Sequence, residues 1–145
     1  MPALLMDRVL EYLSHHPWLT TATAVVAALI VVYEMRARSE SLLSVSPQEL
    51  IRLMNQGALL LDLRTVEEFA LGHLSGARQM SGPEILKAAD SLKKYKEKTV
   101  VVYDGTGTLG PAAVRQLIEQ GFTQAVTLRG GLAAWRADNL PLTRA

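Results

Sequence analysis

The chain has 145 residues, and its 15 Lys and Arg nearly balance its 14 Asp and Glu. This balance does not indicate the basic surface that nucleic-acid binding requires, so we expect no nucleic-acid partner. The chain contains no cysteine, which excludes disulfide bonds, cysteine-ligated metals, iron–sulfur clusters and any thiol nucleophile. We also expect no cofactor and no metal site.

The first predicted element is a hydrophobic helix near the N-terminus. No Asp, Glu, Lys or Arg occurs from Tyr12 to Tyr33, and ~20 helical residues are enough to cross a hydrocarbon core of ~30 Å. Trp18 and Tyr33 lie near the ends of this stretch, where their rings favour the headgroup region. We predict a transmembrane helix at residues 17–35, preceded by a short, interfacial helix at 1–16 and followed by a linker at 36–44.

Two other structures are compatible with an apolar stretch of this length. A cleaved signal peptide needs a basic start and small residues after the apolar run, but Asp7, Arg8 and Glu11 precede it and Glu34, with two arginines, follows it. A buried core helix that is apolar all round needs a larger domain to hide it. The sequence therefore favours a membrane span over both.

The orientation of the span follows from the basic residues beside it. Arg36 and Arg38 lie just after the span and Arg8 lies before it, so the positive-inside rule favours a cytoplasmic C-terminal domain. On the span itself, small side chains recur at four-residue spacing at Thr20, Ala24 and Ala28. Such a face lets another helix approach closely, and we interpret it as a candidate packing face for a membrane protein partner.

A small α/β domain is predicted at residues 45–142. Nearly continuous apolar runs predict buried parallel strands at 58–63, 99–103 and 125–128. Ser or Thr followed three residues later by Glu predicts helix starts at Ser46, Thr65 and Ser81, and further helices are expected at 111–120 and after Gly130. Alternating strands and helices form a parallel sheet whose ligands bind beyond the carboxyl ends of the strands. The loop after Tyr103 is therefore the candidate site.

The loop Asp104–Gly110 is compatible with more than one kind of chemistry. Gly105, Gly107 and Gly110 fit the G-x-G-x-x-G dinucleotide fingerprint, but Arg129 stands where the confirming acidic residue should end the next strand. Asp104 also resembles the phosphorylated aspartate of ion-pumping ATPases and haloacid-dehalogenase-type phosphatases. Those enzymes need a lysine and a magnesium-binding acidic pair on later strands, and the acidic residues after the loop are Glu119 and Asp138 alone.

A third interpretation accounts for the whole domain. From about Val45 to Leu142 the chain resembles the rhodanese-like (sulfurtransferase) family, and most closely its single-domain, membrane-anchored bacterial branch. The residues that carry the resemblance are Ser46–Leu50, Asp62–Arg64, Glu68-Phe69, Gly72-His73, Gly76-Ala77, Gly121-Phe122, Gly130-Gly131 and Ala134-Trp135. The resemblance implies a parallel-sheet rhodanese-like fold and a location in the bacterial inner membrane.

The resemblance also implies an activity that these residues do not support. The family pattern for the loop is Cys-x-x-Gly-x-Arg, in which the cysteine carries sulfur as a persulfide and backbone N–H groups with a basic side chain hold the negative charge. Here Asp104 stands at the cysteine position, Gly107 is kept, and Leu109 stands at the arginine position. We therefore expect a degenerate active-site loop with no catalytic residue, formed by Asp104, Gly105, Thr106, Gly107, Thr108 and Leu109.

The function expected from these features is that of a membrane-tethered, non-catalytic interaction or accessory module. The alternative is an enzyme or ligand-binding domain with altered chemistry at the Asp104 loop. Structural roles are expected for the remaining candidates. Asp104 should accept N–H bonds from Gly105 to Gly107, Arg64 should pair with Asp62 or Glu68, His73 should bond backbone groups, and Trp135 should lie in the core.

Overall fold

The computed structural model describes residues 2–144, except for the side chains of residues 40 and 41. It forms two compact units, Met1–Ser39 and Glu40–Ala145. The first unit contains helix α1 (Pro2–His15) and most of helix α2 (Pro17–Leu42). His16 separates the two helices, as expected because the residue before a proline disfavours helical geometry. Residues 17–39 are long and apolar enough to cross a membrane, a property shared by membrane spans and signal sequences.

The segment predicted as a linker is helical over most of its length. Helix α2 continues through Leu42, and the first strand begins two residues later at Ser44. Residues 36–42 contain neither glycine nor proline, so nothing in the backbone chemistry stops the helix at the end of the apolar stretch. The helix therefore extends beyond the end of the apolar stretch.

The C-terminal unit is a five-stranded parallel sheet with helices on both faces. The strand order is β1-β5-β4-β2-β3. The elements are β1 (Ser44–Val45), α3 (Pro47–Asn55), β2 (Leu59–Asp62), α4 (Val66–Leu71), β3 (Arg78–Gln79), α5 (Gly82–Ile85), α6 (Ala88–Ser91), a 3-10 turn (Lys93–Tyr95), β4 (Thr99–Tyr103), α7 (Gly110–Glu119), β5 (Gln124–Leu128) and α8 (Gly131–Ala137). The predicted α/β fold with a parallel sheet is confirmed, and β1 and β3 are strands that the sequence patterns missed.

The central strands are buried on both faces, as their apolar runs predicted. Alternate residues of β2 and β4 point to opposite sides, so that Leu61 and Val102 pack under α5, α6 and α7. Val101 and Tyr103 instead pack with the residues of α3 and α8. The sheet is therefore the middle of three layers, and the carboxyl ends of β2 and β4 lie side by side because Asp62 is in register with Tyr103.

Local capping interactions begin three of the helices where the sequence predicted. The Ser46 and Thr65 side chains accept hydrogen bonds from the amides of Glu49 and Glu68, and each Glu carboxylate accepts from the backbone N–H of its capping residue. The backbone and side-chain hydrogen bonds of Thr65 lower the pKa of Glu68. The side-chain and backbone hydrogen bonds from Ser81 lower the pKa of Glu84. These carboxylates are therefore held in the charged form that caps the helices.

Candidate functional site

The loop after β4 is closed around the side chain of its first residue. Asp104 is only 3% exposed. Its Oδ1 accepts a hydrogen bond of 2.9 Å from the Gly107 amide, and its Oδ2 accepts one of 3.0 Å from the Leu109 amide. The predicted bond to the glycine segment is confirmed at Gly107. The bond from Leu109 was not foreseen, because it depends on how the loop turns back toward the start of α7.

The first turn of α8 holds the backbone of the same loop by hydrogen bonds. The Leu132 amide donates to the Asp104 carbonyl at 2.8 Å, and the Ala133 amide donates to the Gly105 carbonyl at 2.9 Å. Gly131 makes this approach possible, because a Cβ atom there would lie 2.6 Å from both the Asp104 carbonyl oxygen and the Gly107 nitrogen. Gly131 also has a positive φ of 61°, which disfavours other residues. The sequence signal for this contact was the Gly130-Gly131 pair.

Two of the three glycines of the apparent dinucleotide fingerprint, Gly107 and Gly110, have packing explanations. Gly107 has a φ of 87°, and a Cβ there would lie 2.9 Å from the Gly130 nitrogen. Gly110 lies against Thr127 of β5, where any Cβ would clash with the threonine hydroxyl. Arg129, where the fingerprint needs an acidic residue, donates from Nε to the Ser44 hydroxyl at 3.2 Å. Contacts within the domain therefore explain why Gly107 and Gly110 are glycines.

The outer surface of the loop is neutral. The hydroxyl groups of Thr106 and Thr108 lie 2.9 Å apart, and both residues are exposed. Leu109, at the position of the family's arginine, is 58% exposed. The loop itself therefore offers solvent two hydroxyl groups and an aliphatic side chain, and its one charged group faces inward.

A buried ion pair lies beside the loop at the end of β2. The Arg64 guanidinium contacts the Asp62 carboxylate at 2.6 Å and donates to the Gly72 carbonyl at 2.6 Å. Burial opposes the charge on Arg64, but the hydrogen bonds and the charge of Asp62 outweigh burial and raise the pKa of Arg64. The prediction that Arg64 pairs with Asp62 is confirmed. The Arg64 guanidinium therefore has a structural role at the carboxyl end of β2.

The other polar residues near this edge also have structural partners. His73 Nδ1 lies 2.8 Å from the Phe69 carbonyl, and its ring stacks on the Phe69 ring. Trp135 is 3% exposed and donates from Nε1 to the Pro141 carbonyl at 3.0 Å. The Tyr103 hydroxyl accepts from the Leu74 amide, and burial raises the pKa of Tyr103 well above its usual value. The structural roles predicted for His73 and Trp135 are confirmed.

The candidate packing face of α2 lies partly beside α1. Thr20 and Ala24 line an apolar groove of about 290 Å³ together with Tyr12 and Leu13. The Thr20 hydroxyl lies 3.1 Å from the His16 carbonyl and 3.3 Å from the Leu13 carbonyl. Ala28 is exposed and is not among the residues that line this groove. The role of this face in binding a partner stays a prediction.

Comparison with known proteins agrees with this fold. The model of the family described as "Rhodanese-like domain" matches residues 46–138. The chain belongs to the rhodanese-like family. The matched range contains the Asp104 loop, the β2 ion pair and the whole of α8.

Relatives resemble this rhodanese-like protein to different extents. The Escherichia coli (strain K12) protein named "Uncharacterized protein YibN" is 30% identical over 96% of this chain and 99% of its own length. The "Thiosulfate sulfurtransferase GlpE" of Pseudomonas paraeruginosa is 29% identical over 68% of this chain and 88% of its own length. The similarity to YibN therefore extends through the N-terminal helices, whereas the similarity to GlpE covers about the length of the α/β domain.

A solved structure gives the same fold. The solution structure of the rhodanese-like domain from the Anabaena sp. Alr3790 protein is 27% identical and superimposes with a TM-score of 0.62. The match covers 71% of this chain and 80% of the Anabaena chain. The α/β unit of the present chain is thus a rhodanese fold.

Two glycines of the site provide a matched test of how the loop is fixed. We expect Gly131→Ala to destabilise the domain by about 2–3 kcal/mol, because the methyl group meets two backbone atoms and the left-handed backbone is strained. Gly105→Ala should change stability by less than about 0.5 kcal/mol, because that position has open space. Denaturant unfolding of the full chain in detergent, followed by Trp135 fluorescence in a Trp18→Phe background, measures both. Equal destabilisation by the two variants would contradict the proposed contact.

Proposed function

We propose that this rhodanese-like protein is a membrane-tethered, non-catalytic interaction module with a membrane protein as its partner. The observation that carries the proposal is the position of the Asp104 carboxylate. It accepts the Gly107 and Leu109 amides, which belong to the loop whose N–H groups hold negative charge in the family. In this chain, the loop binds its own side chain in place of an external anion.

The chemistry of sulfur transfer has no support in these residues. The chain has no cysteine to carry a persulfide, and a carboxylate cannot replace a thiolate in that role. An anionic sulfur donor placed at ~4 Å from Asp104 would be repelled by about 4 kcal/mol per unit charge at an effective dielectric of ~20. The inward position of the carboxylate also counts against altered chemistry on a cationic or neutral substrate, since only 3% of Asp104 is exposed.

The N-terminal helices support the membrane part of the proposal. Residues 17–39 satisfy the length and composition requirements of a span. Most of the large apolar side chains of α2 are exposed and are not covered by the rest of the chain. A tether of this kind raises the effective concentration of the domain toward any partner in the same bilayer. The two arginines after the apolar stretch, Arg36 and Arg38, favour a cytoplasmic location for the domain.

The absence of sulfurtransferase activity is directly measurable. We expect the purified full-length protein to show no thiosulfate:cyanide turnover above the buffer blank, because it lacks the nucleophile and its loop amides are occupied. A cysteine-containing thiosulfate sulfurtransferase assayed in the same detergent serves as the positive control. Turnover by the full-length protein that grows in proportion to its concentration would refute the non-catalytic assignment.

The partner hypothesis calls for cross-linking in native membranes. We expect the full chain to be cross-linked to a specific membrane protein, and we expect Ala28→Leu to reduce the yield several-fold because leucine prevents close helix approach. Val26→Leu is the matched control, since residue 26 lies on the opposite side of the helix. Absence of any specific membrane protein in the cross-linked material at native expression levels would contradict this part of the proposal.

A further inference from the structure

The lysines of this chain are concentrated in one short surface segment. All five lysines fall within residues 87–98, at Lys87, Lys93, Lys94, Lys96 and Lys98. Outside this segment the permanently charged basic residues are all arginines. The segment contains two acidic residues, Asp90 and Glu97. The near-zero net charge of the whole chain therefore conceals a strongly basic region between α6 and β4.

The fold gathers part of this segment around one aromatic ring. The Lys94 and Lys98 ammonium groups lie 5.2 and 5.7 Å from the centre of the Tyr95 ring. Arg78, from the edge strand β3, lies 5.5 Å from the same ring and donates to the Tyr95 hydroxyl at 3.1 Å. Together with the exposed Lys93, these residues form what we call the lysine patch (Arg78, Lys93, Lys94, Tyr95 and Lys98).

The four cations of the lysine patch have no carboxylate partner among the described residues. Although partial burial of the phenol opposes ionisation, the charges of Arg78 and Lys94 lower the pKa of Tyr95. Like charges held this close repel one another, and an external negative surface would relieve that repulsion.

We propose that the lysine patch docks on a bilayer surface containing anionic phospholipids. Lysine is a flexible point charge that suits a diffuse anionic surface, whereas geometrically defined recognition of a carboxylate or phosphate favours arginine. The surface of an anionic leaflet attracts nearby Lys and Arg side chains. The inference rests on the proposed tether, which keeps the domain within reach of the headgroups.

The absence of cysteine allows a clean test in the full-length protein. Ser91→Cys places a single donor dye at the exposed end of α6, near the patch. Ala133→Cys places the dye on α8, on the other face of the sheet. Each protein is reconstituted into nanodiscs that carry a headgroup-labelled acceptor lipid and contain either phosphatidylcholine alone or phosphatidylcholine mixed with phosphatidylglycerol.

Docking predicts that energy transfer from Cys-labelled position 91 rises when phosphatidylglycerol is present. The rise should exceed that from position 133. It should disappear at ~1 M salt, where charges are screened beyond about 3 Å instead of about 10 Å at ~0.1 M. The triple variant Lys93→Gln, Lys94→Gln and Lys98→Gln should lose the rise. The variant Arg52→Gln, Arg136→Gln and Arg144→Gln, with the same change in net charge outside the patch, should keep it.

The outcomes separate this inference from the proposed function. Equal transfer in the two lipid mixtures would overturn lipid docking and would leave the patch as a surface for an acidic protein. Equal loss in the two triple variants would also overturn it, because net charge rather than the patch would then be responsible. Failure of the full chain to enter nanodiscs at all would instead refute the membrane tether.

Discussion

The hydrogen bonds that the Asp104 carboxylate accepts from the amides of its own loop organise the edge of the sheet where the strands end. A buried carboxylate is costly unless its oxygens are satisfied, and the amides of Gly107 and Leu109 satisfy one oxygen each. To bring both amides to one side chain, the loop must turn sharply through Gly107 and continue into α7. The loop then lies flat against the start of α8, where Gly130 and Gly131 leave room for its backbone.

This arrangement changes what a rhodanese fold can offer. The fold is kept in full, including a parallel sheet with its loops at the carboxyl ends of the strands, the usual place for a ligand. Its loop amides are used internally, and its outer loop surface carries threonine hydroxyls and an exposed leucine. In the proposed function, binding takes place on two surfaces, the exposed helix α2 and the cationic side chains around Tyr95, and not in a pocket at the loop.

Most of the fold could be predicted because its signals are local. The strands β2, β4 and β5 are apolar runs, and the helix starts at Ser46, Thr65 and Ser81 are capping patterns complete within four residues. Strands β1 and β3 are two residues long, so neither has a hydrophobic period, and both exist only because neighbouring strands offer them hydrogen bonds.

The sequence predicts the roles of the side chains at the site, but it does not predict all of their hydrogen-bond partners. The identity of Asp104 was enough to predict a structural carboxylate, whereas its bond to Leu109 depends on the path of the whole loop. The sequence predicts two candidate ion-pair partners for Arg64, Asp62 and Glu68, and in the folded domain Arg64 pairs with Asp62. The lysine segment does not show in the net charge of the whole chain, because the 14 acidic residues nearly balance the 15 basic ones; only the distribution of lysine along the sequence reveals it.

The most direct test of this account measures whether the loop is closed to anions. In calorimetric titrations of the full-length protein with thiosulfate, we expect no saturable binding to the wild type. Asp104→Ala frees the two amides and removes the negative charge, so we expect this variant to bind thiosulfate. Saturable binding to the wild type as tight as to Asp104→Ala would contradict the claim that the Asp104 carboxylate occupies the anion-binding groups of the loop.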